Sequence, residues 1–344
     1  MRAFVLREYH DDMALEDVKD PIPDPHDIIL KVKSCGVCHT DTKIISGQIP
    51  PPYIKLPHII GHEIAGEIVA IGSEVKHVAV GQRGLVYHYV TCGLCEMCRT
   101  GRENLCFFTK RLGFELPGGM AEYVKVPADN ICLLNESVDF GKVAILPDAV
   151  ATPYHALKTL AEVKAGQYVF IVGAGGLGIH AVQLANLMGA QVIVGDCRKE
   201  ALPMARQLGA EVVIDTSSEN PLERIMEITH GKGAHVVIEI VGSPQTLKWS
   251  LPCLRRGGRL VLVGYAPSNP FPLNSMDMHY NEWVILGSKA STRQELLEVV
   301  DLMERGKIKA IVSKEVIWTE ANEVLRGILG GNVSGRTVLK FEGF

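Results

Sequence analysis

The chain has 344 residues, 47% of them hydrophobic and 22% charged, with 34 glycines and a formal net charge of −4. That is enough apolar material for two cores and too little polarity for a disordered chain. Lysines and arginines are scattered rather than gathered into a basic stripe, and no apolar run approaches the roughly 20 residues that cross a bilayer. Neither nucleic acid nor a membrane is therefore an expected partner.

In the first part of the chain, IILKVKSCG, EIAGEIVAIGSEV and MAEYVKVPADNICLL are alternating segments separated by Gly and Pro. They predict a mostly antiparallel, barrel-like domain over residues 1–148. Two short motifs within it carry chemistry: CGVCHTD holds Cys38, and GHE holds His62 and Glu63. A thiolate and an imidazole suit zinc, and one further ligand would leave the open position that a catalytic metal needs. Asp148, in ILPDAVATPYHAL, is the candidate third ligand, with Glu63 as a neighbour able to approach the metal. On spacing alone such residues are more often simply packed; the case rests on what accompanies them.

The densest motif is TCGLCEMCRTGRENLC, in which Cys92, Cys95, Cys98 and Cys106 read C-x2-C-x2-C-x7-C. Four thiolates satisfy the tetrahedral coordination of a structural zinc and leave no position open, which predicts a closed zinc lobe at about 90–108. A disulfide knot and an iron–sulfur site are the other readings of such a run. The opening MRAFVLREY carries no charged-then-apolar leader, and Cys35, Cys38, Cys132, Cys197 and Cys253 are spread out. Reduced thiols in a cytoplasmic protein are the expectation.

From Gly166 the pattern changes to strand then helix, repeatedly: YVFIVG, QVIVGD, VVID, VVIEIVG and RLVLVGY each lead toward a helical segment or loop. Near-continuously apolar strands of this kind predict a doubly wound parallel sheet, here a Rossmann coenzyme domain over 149–286. GAGGLG, contributing Gly173, Gly175, Gly176, Leu177 and Gly178, lies directly between a strand and a helix. Its glycines permit a tight turn, and the helix start offers unpaired N–H groups to a pyrophosphate. Asp196 ends the next strand, where a carboxylate accepts from both ribose hydroxyls and repels a 2′-phosphate, so NAD is expected over NADP; Arg198 and Lys199 weaken that preference. Val241 and Val263, at later strand ends, are further candidate coenzyme contacts. Residues 287–344 hold two helical patterns and the strand RTVLKF, and are expected to rejoin the first domain.

Taken together, GHEIAGEIVAIGSEV at 61–75, the four-cysteine lobe, GAGGLG with Asp196 and the order of the domains are similar to the zinc-dependent alcohol dehydrogenases of the medium-chain dehydrogenase/reductase superfamily, from end to end. The resemblance implies a GroES-like catalytic domain, two zinc ions per subunit (one catalytic, one structural), NAD, and a homodimer or homotetramer. It implies oxidation of a small-molecule alcohol, with Asp148 in place of the more usual Cys pointing to secondary or cyclic alcohols. Reduction of an activated C=C bond and polyol or hydroxyacyl oxidation are the alternative reactions. It also assigns Thr40 to the first step of a proton relay, Asp41 to support of His62, His39 and Arg336 to the coenzyme phosphates, and Thr152 to the nicotinamide. Lys43 stands where many relatives have a relay histidine, so either Lys43 or water carries the proton on. The stretch VYHYV places Tyr87, His88 and Tyr89 near the substrate wall, with Ile49 as a further pocket residue. The polar tips imply a substrate with a second polar group, or merely the edge of a strand.

Overall fold

The structure, a computed structural model, describes residues 1–266, 270–271, 273–330 and 335–341. Two compact units divide the chain. The first comprises Met1–Asp148, Thr292–Glu304 and Ala310–Phe344, the second Ala149–Ser291 and Arg305–Lys309. The strand Val284–Gly287 pairs with Leu254–Leu262 inside the second unit, and the first unit resumes at Thr292. Among the described residues no helix is long and apolar enough to cross a membrane.

The first unit is built on a seven-stranded sheet running, in spatial order, through Val312–Ile317, Arg336–Lys340, Asp27–Val37, Glu63–Ile71, Arg83–Val86 and Ile131–Leu133, with Tyr123–Pro127 also paired to Asp27–Val37. Only the Val312–Ile317 and Arg336–Lys340 pair is parallel. The period-2 pattern of these segments puts Ile28, Leu30, Val32, Ile64 and Ile68 into one core, where Trp318 stacks on Phe341 and meets Phe4 edge-on. Register is what matters for function. Thr337 lies opposite Val37, and Gly36 lies opposite Glu63. Three strand ends therefore bring Arg336, Cys38 and the His62–Glu63 pair to one place, although they are far apart in sequence.

The second unit carries a six-stranded parallel sheet in the order Val212–Asp215, Gln191–Asp196, Tyr168–Val172, Ala234–Glu239, Leu254–Leu262 and Val284–Gly287. Val169, Phe170, Ile171 and Val172 are all buried, as a strand covered on both faces requires. The strand order reverses beside Tyr168–Val172, so the crevice of such a sheet opens where the glycine turn follows that strand.

Candidate metal centre and dinucleotide-binding turn

The helix His39–Ile45 begins at Cys38, which acts as its N-cap. The Thr40 N–H points at Cys38 Sγ at 3.4 Å, and Asp41 Oδ2 accepts from the Cys38 N–H at 2.8 Å, so a capping box fixes the thiol. The other oxygen of Asp41 faces His62 Nδ1 at 3.2 Å. That contact favours the tautomer with its proton on Nδ1 and leaves Nε2 as a lone-pair donor. Asp148 sits in the π-helical turn Leu146–Val150, and its Oδ2 lies 3.3 Å from Cys38 Sγ and 3.8 Å from His62 Nε2. One ligand atom from each of Cys38, His62 and Asp148 falls within 4.8 Å of the others.

Charge explains why this set fits a divalent cation. Burial pushes His62 down, yet the carboxylates of Asp41 and Asp148 outweigh it and hold the imidazole well above its ordinary value. Burial pushes Asp148 up, and against it His62 and Arg336 hold the carboxyl far below the usual range. A set that draws a proton this strongly onto a buried histidine is short of positive charge, and its thiol, imidazole and carboxylate are the zinc donors.

Glu63 lies outside that set. Its Oε1 accepts from Arg336 Nε at 3.0 Å and from Nη2 at 2.7 Å, and the same guanidinium contacts Asp148. Burial pushes the Glu63 carboxyl up to about 7 in spite of Arg336. Arg336, itself buried, therefore braces two carboxylates beneath the cluster. His39 is exposed, and Thr40 and Lys43 are half-buried on the same helix.

Of the three residues at the expected substrate wall, His88 packs against the cluster: its ring lies 5.4 Å from that of His62. Burial and the nearby His62 push it down to about 3, so the ring is neutral, and its buried Nδ1 has no hydrogen-bond partner among the described residues. Tyr87 is buried under the guanidinium of Arg293, and the Tyr89 ring lies 4.6 Å from that of His88, tilted by 59°. Ile49 is buried in the core of the first unit. Sequence reasoning missed Phe114, whose ring is also 5.4 Å from His62. It lies in the turn after Lys110–Arg111, and nothing in its local pattern distinguishes it from an ordinary core phenylalanine.

In the cysteine lobe, sulfur separations are 3.6 Å for Cys95–Cys98, 3.6 Å for Cys92–Cys106, 3.8 Å for Cys95–Cys106 and 3.9 Å for Cys92–Cys98. A tetrahedron with metal–sulfur bonds of about 2.3 Å has edges of about 3.8 Å. Disulfides, at about 2.05 Å, do not fit these separations. The backbone N–H groups of Cys98 and Phe107 hold the Cys95 thiol down at about 6, favouring the thiolate that a metal binds.

In the second unit, Gly173 has φ +100°, and a Cβ at Gly178 would collide with the carbonyl oxygen of Gly173. The turn closes only with glycine at both positions. A Cβ at Gly173 would come to 2.9 Å from Val241 Cγ2, so Val241 borders the turn. Asp196 is engaged at both oxygens: Oδ2 accepts from the Ala174 N–H at 2.7 Å, and Oδ1 accepts from the Arg198 N–H at 2.8 Å. The Arg198 guanidinium lies across it, with Nε and Nη2 each at 3.1 Å. Thr152 is buried in the helix Ala151–Tyr154, and the Val263 N–H donates to Glu239 O. Glu239 was not foreseen. Its buried carboxylate accepts from the N–H groups of Val241 and Gly242 and from Thr246 Oγ1, which fixes the loop carrying Val241. The one available signal was an acid inside the apolar strand VVIEIVG.

Comparison with known proteins agrees with this geometry. The family model of the alcohol dehydrogenase GroES-like domain matches residues 24–136, and that of the zinc-binding dehydrogenases matches residues 176–305. An alcohol dehydrogenase of Geobacillus stearothermophilus is 35% identical over 343 residues, covering 99% of each chain. An NAD-dependent alcohol dehydrogenase of Sulfolobus acidocaldarius is 35% identical over 347 residues, again covering 99% of each. The crystal structure of the alcohol dehydrogenase from Aeropyrum pernix superimposes with a TM-score of 0.93 at 34% identity, covering 99% of this chain and 100% of that one.

Proposed function

Because the chain belongs to the zinc-dependent alcohol dehydrogenases of the medium-chain dehydrogenase/reductase superfamily, we propose that it oxidises secondary or cyclic alcohols to ketones, reversibly and with NAD. The observation that carries the reaction class is the clustered set of buried Cys38, buried His62 and half-buried Asp148. When bound, zinc supplies a Lewis acid for the substrate oxygen and NAD supplies the hydride acceptor. A second, structural zinc belongs to Cys92, Cys95, Cys98 and Cys106. Asp41 orients His62, and Arg336 orients Asp148 and Glu63. Reduction of a C=C bond is not favoured, since the relatives are alcohol dehydrogenases.

The chain's own proton path is assigned to Thr40 and then Lys43, which lie three apart on one helix and so share a face. Burial lowers Lys43 from its ordinary value, so its amine becomes a proton acceptor at lower pH than a free lysine. Alcohol oxidation should accelerate as pH rises through that lowered value, and Lys43→Gln should flatten the alkaline limb. An unchanged limb would assign the proton to water.

His88 supports a substrate with a second oxygen. A buried neutral imidazole with an unmatched nitrogen costs about 1–3 kcal/mol, which a substrate hydroxyl or carbonyl beside the reacting carbon would offset. The deciding assay follows nicotinamide absorbance with primary, secondary and cyclic alcohols and vicinal diols, with a chelator control. Chelator-sensitive NAD reduction, fastest with secondary alcohols or diols, is expected. Preference for primary alcohols would overturn the substrate reading, and silence with all alcohols beside activity on enones would overturn the reaction.

For the coenzyme, the proposal is NAD first with NADP tolerated. Asp196 disfavours a 2′-phosphate, but Arg198 half-neutralises it and can turn to meet one. Arg198→Gln should lower kcat/KM with NADP by about tenfold while NAD changes far less. Equal losses would show that Arg198 only braces Asp196. Self-association is proposed through Val284–Gly287, the terminal strand of its sheet, with light scattering expected to show a dimer or tetramer; a monomer would refute it. The nine unpaired cysteines support a cytoplasmic location.

A further inference from the structure

The parallel sheet of the second unit has a polar cavity at the end opposite its glycine turn. The cavity, about 230 Å³, is bounded by the segment before Tyr168–Val172, the start of Ala234–Glu239 and the glycine bulge in Leu254–Leu262. Arg255, Arg256, Arg259 and Lys164 line it, and Glu162 is the single carboxylate among its walls. Glu162 is paired with Arg259 at 2.8 Å, and both side chains are at least one-third exposed, so that pair contributes little and opens readily. Arg256 and Lys164 have no side-chain hydrogen bond or ion pair among the described residues.

Arg255 is held in an unsatisfied contact. The Tyr168 N–H donates to His235 Nδ1 at 3.0 Å, so a neutral imidazole must carry its proton on Nε2. That nitrogen lies 2.6 Å from Arg255 Nη1, which sets donor against donor. A second proton, on Nδ1, would leave the Nε2–H against Arg255 and set a further donor against the Tyr168 N–H, and burial with Arg255 beside it disfavours that proton in any case. An anion drawing the guanidinium off the ring would relieve the contact. Guanidinium donors from three lining arginines, of which Arg259 also donates through Nη1 to Leu160 O at 3.0 Å, match the oxygens of a phosphoryl dianion better than those of a carboxylate or halide.

We propose that this cavity is a binding site for a phosphoryl dianion, separate from the coenzyme site, held by Arg255, Arg259 and Arg256. The volume exceeds that of phosphate alone, so a small phosphate monoester and inorganic phosphate are the two sources of the same chemistry.

The test is calorimetric titration of the zinc-loaded enzyme, saturated with NAD so that the coenzyme site is filled, with inorganic phosphate in one arm and glycerol phosphate in the other. One saturable site per chain is expected, weakened by added salt. Tighter binding of the monoester would identify an organic phosphate as the occupant, and equal binding would identify phosphate itself. Arg255→Gln with Arg259→Gln should weaken binding by at least about tenfold while NAD binding is retained. If that double variant does not fold, Arg256→Gln with Lys164→Gln decides the matter, since both side chains are exposed. No saturable heat in either arm, or affinity unchanged in a folded variant, would overturn the proposal.

Discussion

Cys38→Ser should lower kcat/KM for alcohol oxidation by on the order of 10³-fold or more, the equivalent of several kcal/mol of lost charge stabilisation. Serine is a suitable test because it is a good N-cap. The hydroxyl can still accept from the Thr40 N–H, so the helix His39–Ile45 keeps its start while the thiolate is lost. On the proposed assignment of one zinc to each ligand set, bound zinc should fall by one ion per chain, leaving the ion of the cysteine lobe. NAD affinity should persist, because the glycine turn and Asp196 belong to the other compact unit. Full turnover with an unchanged zinc count would remove Cys38 from the metal set.

The second large effect is expected at Arg336. Its guanidinium is buried and touches both Glu63 and Asp148. Arg336→Met leaves the buried Glu63 and the half-buried Asp148 without their cation, and breaking a buried pair such as Arg336–Glu63 by removing one partner costs about 3–5 kcal/mol. The melting temperature should fall accordingly. Adding Glu63→Gln should recover part of the loss, because the amide does not need the missing charge; the double-mutant cycle isolates that coupling. A single variant as stable as the wild type would mean that water already reaches and screens these carboxylates.

Much of this was legible in the sequence because it depends on local patterns. GAGGLG between a strand and a helix specified its turn, since Gly173 and Gly178 meet a backbone constraint that only glycine satisfies. The cysteine spacing specified its lobe because all four sulfurs come from one short stretch. Cys38, His62 and Asp148 were legible as zinc-type donors only beside the cysteine lobe and the nucleotide fold, since their meeting depends on sheet register and on a π-helical turn that no local pattern announces. The resemblance assigns Arg336 to the coenzyme phosphates; its contacts to the carboxylates of Glu63 and Asp148, which the register Thr337–Val37 produces, were not legible in the sequence. Tyr87 and His88 are adjacent in sequence, yet one ring packs under Arg293 and the other beside His62. Side-chain direction at such a strand end is set by tertiary packing rather than by residue type.

The capping box at Cys38 ties two equilibria together. The thiol that would face the metal also terminates the helix, and the carboxylate that orients His62 also holds the Cys38 amide. Fraying of the first helical turn therefore dismantles the ligand set, and cation binding must suppress that fraying by the same free energy. The amide protons of Thr40 and Asp41 should consequently exchange with deuterium more slowly as zinc is added, making local helix dynamics a direct gauge of metal occupancy.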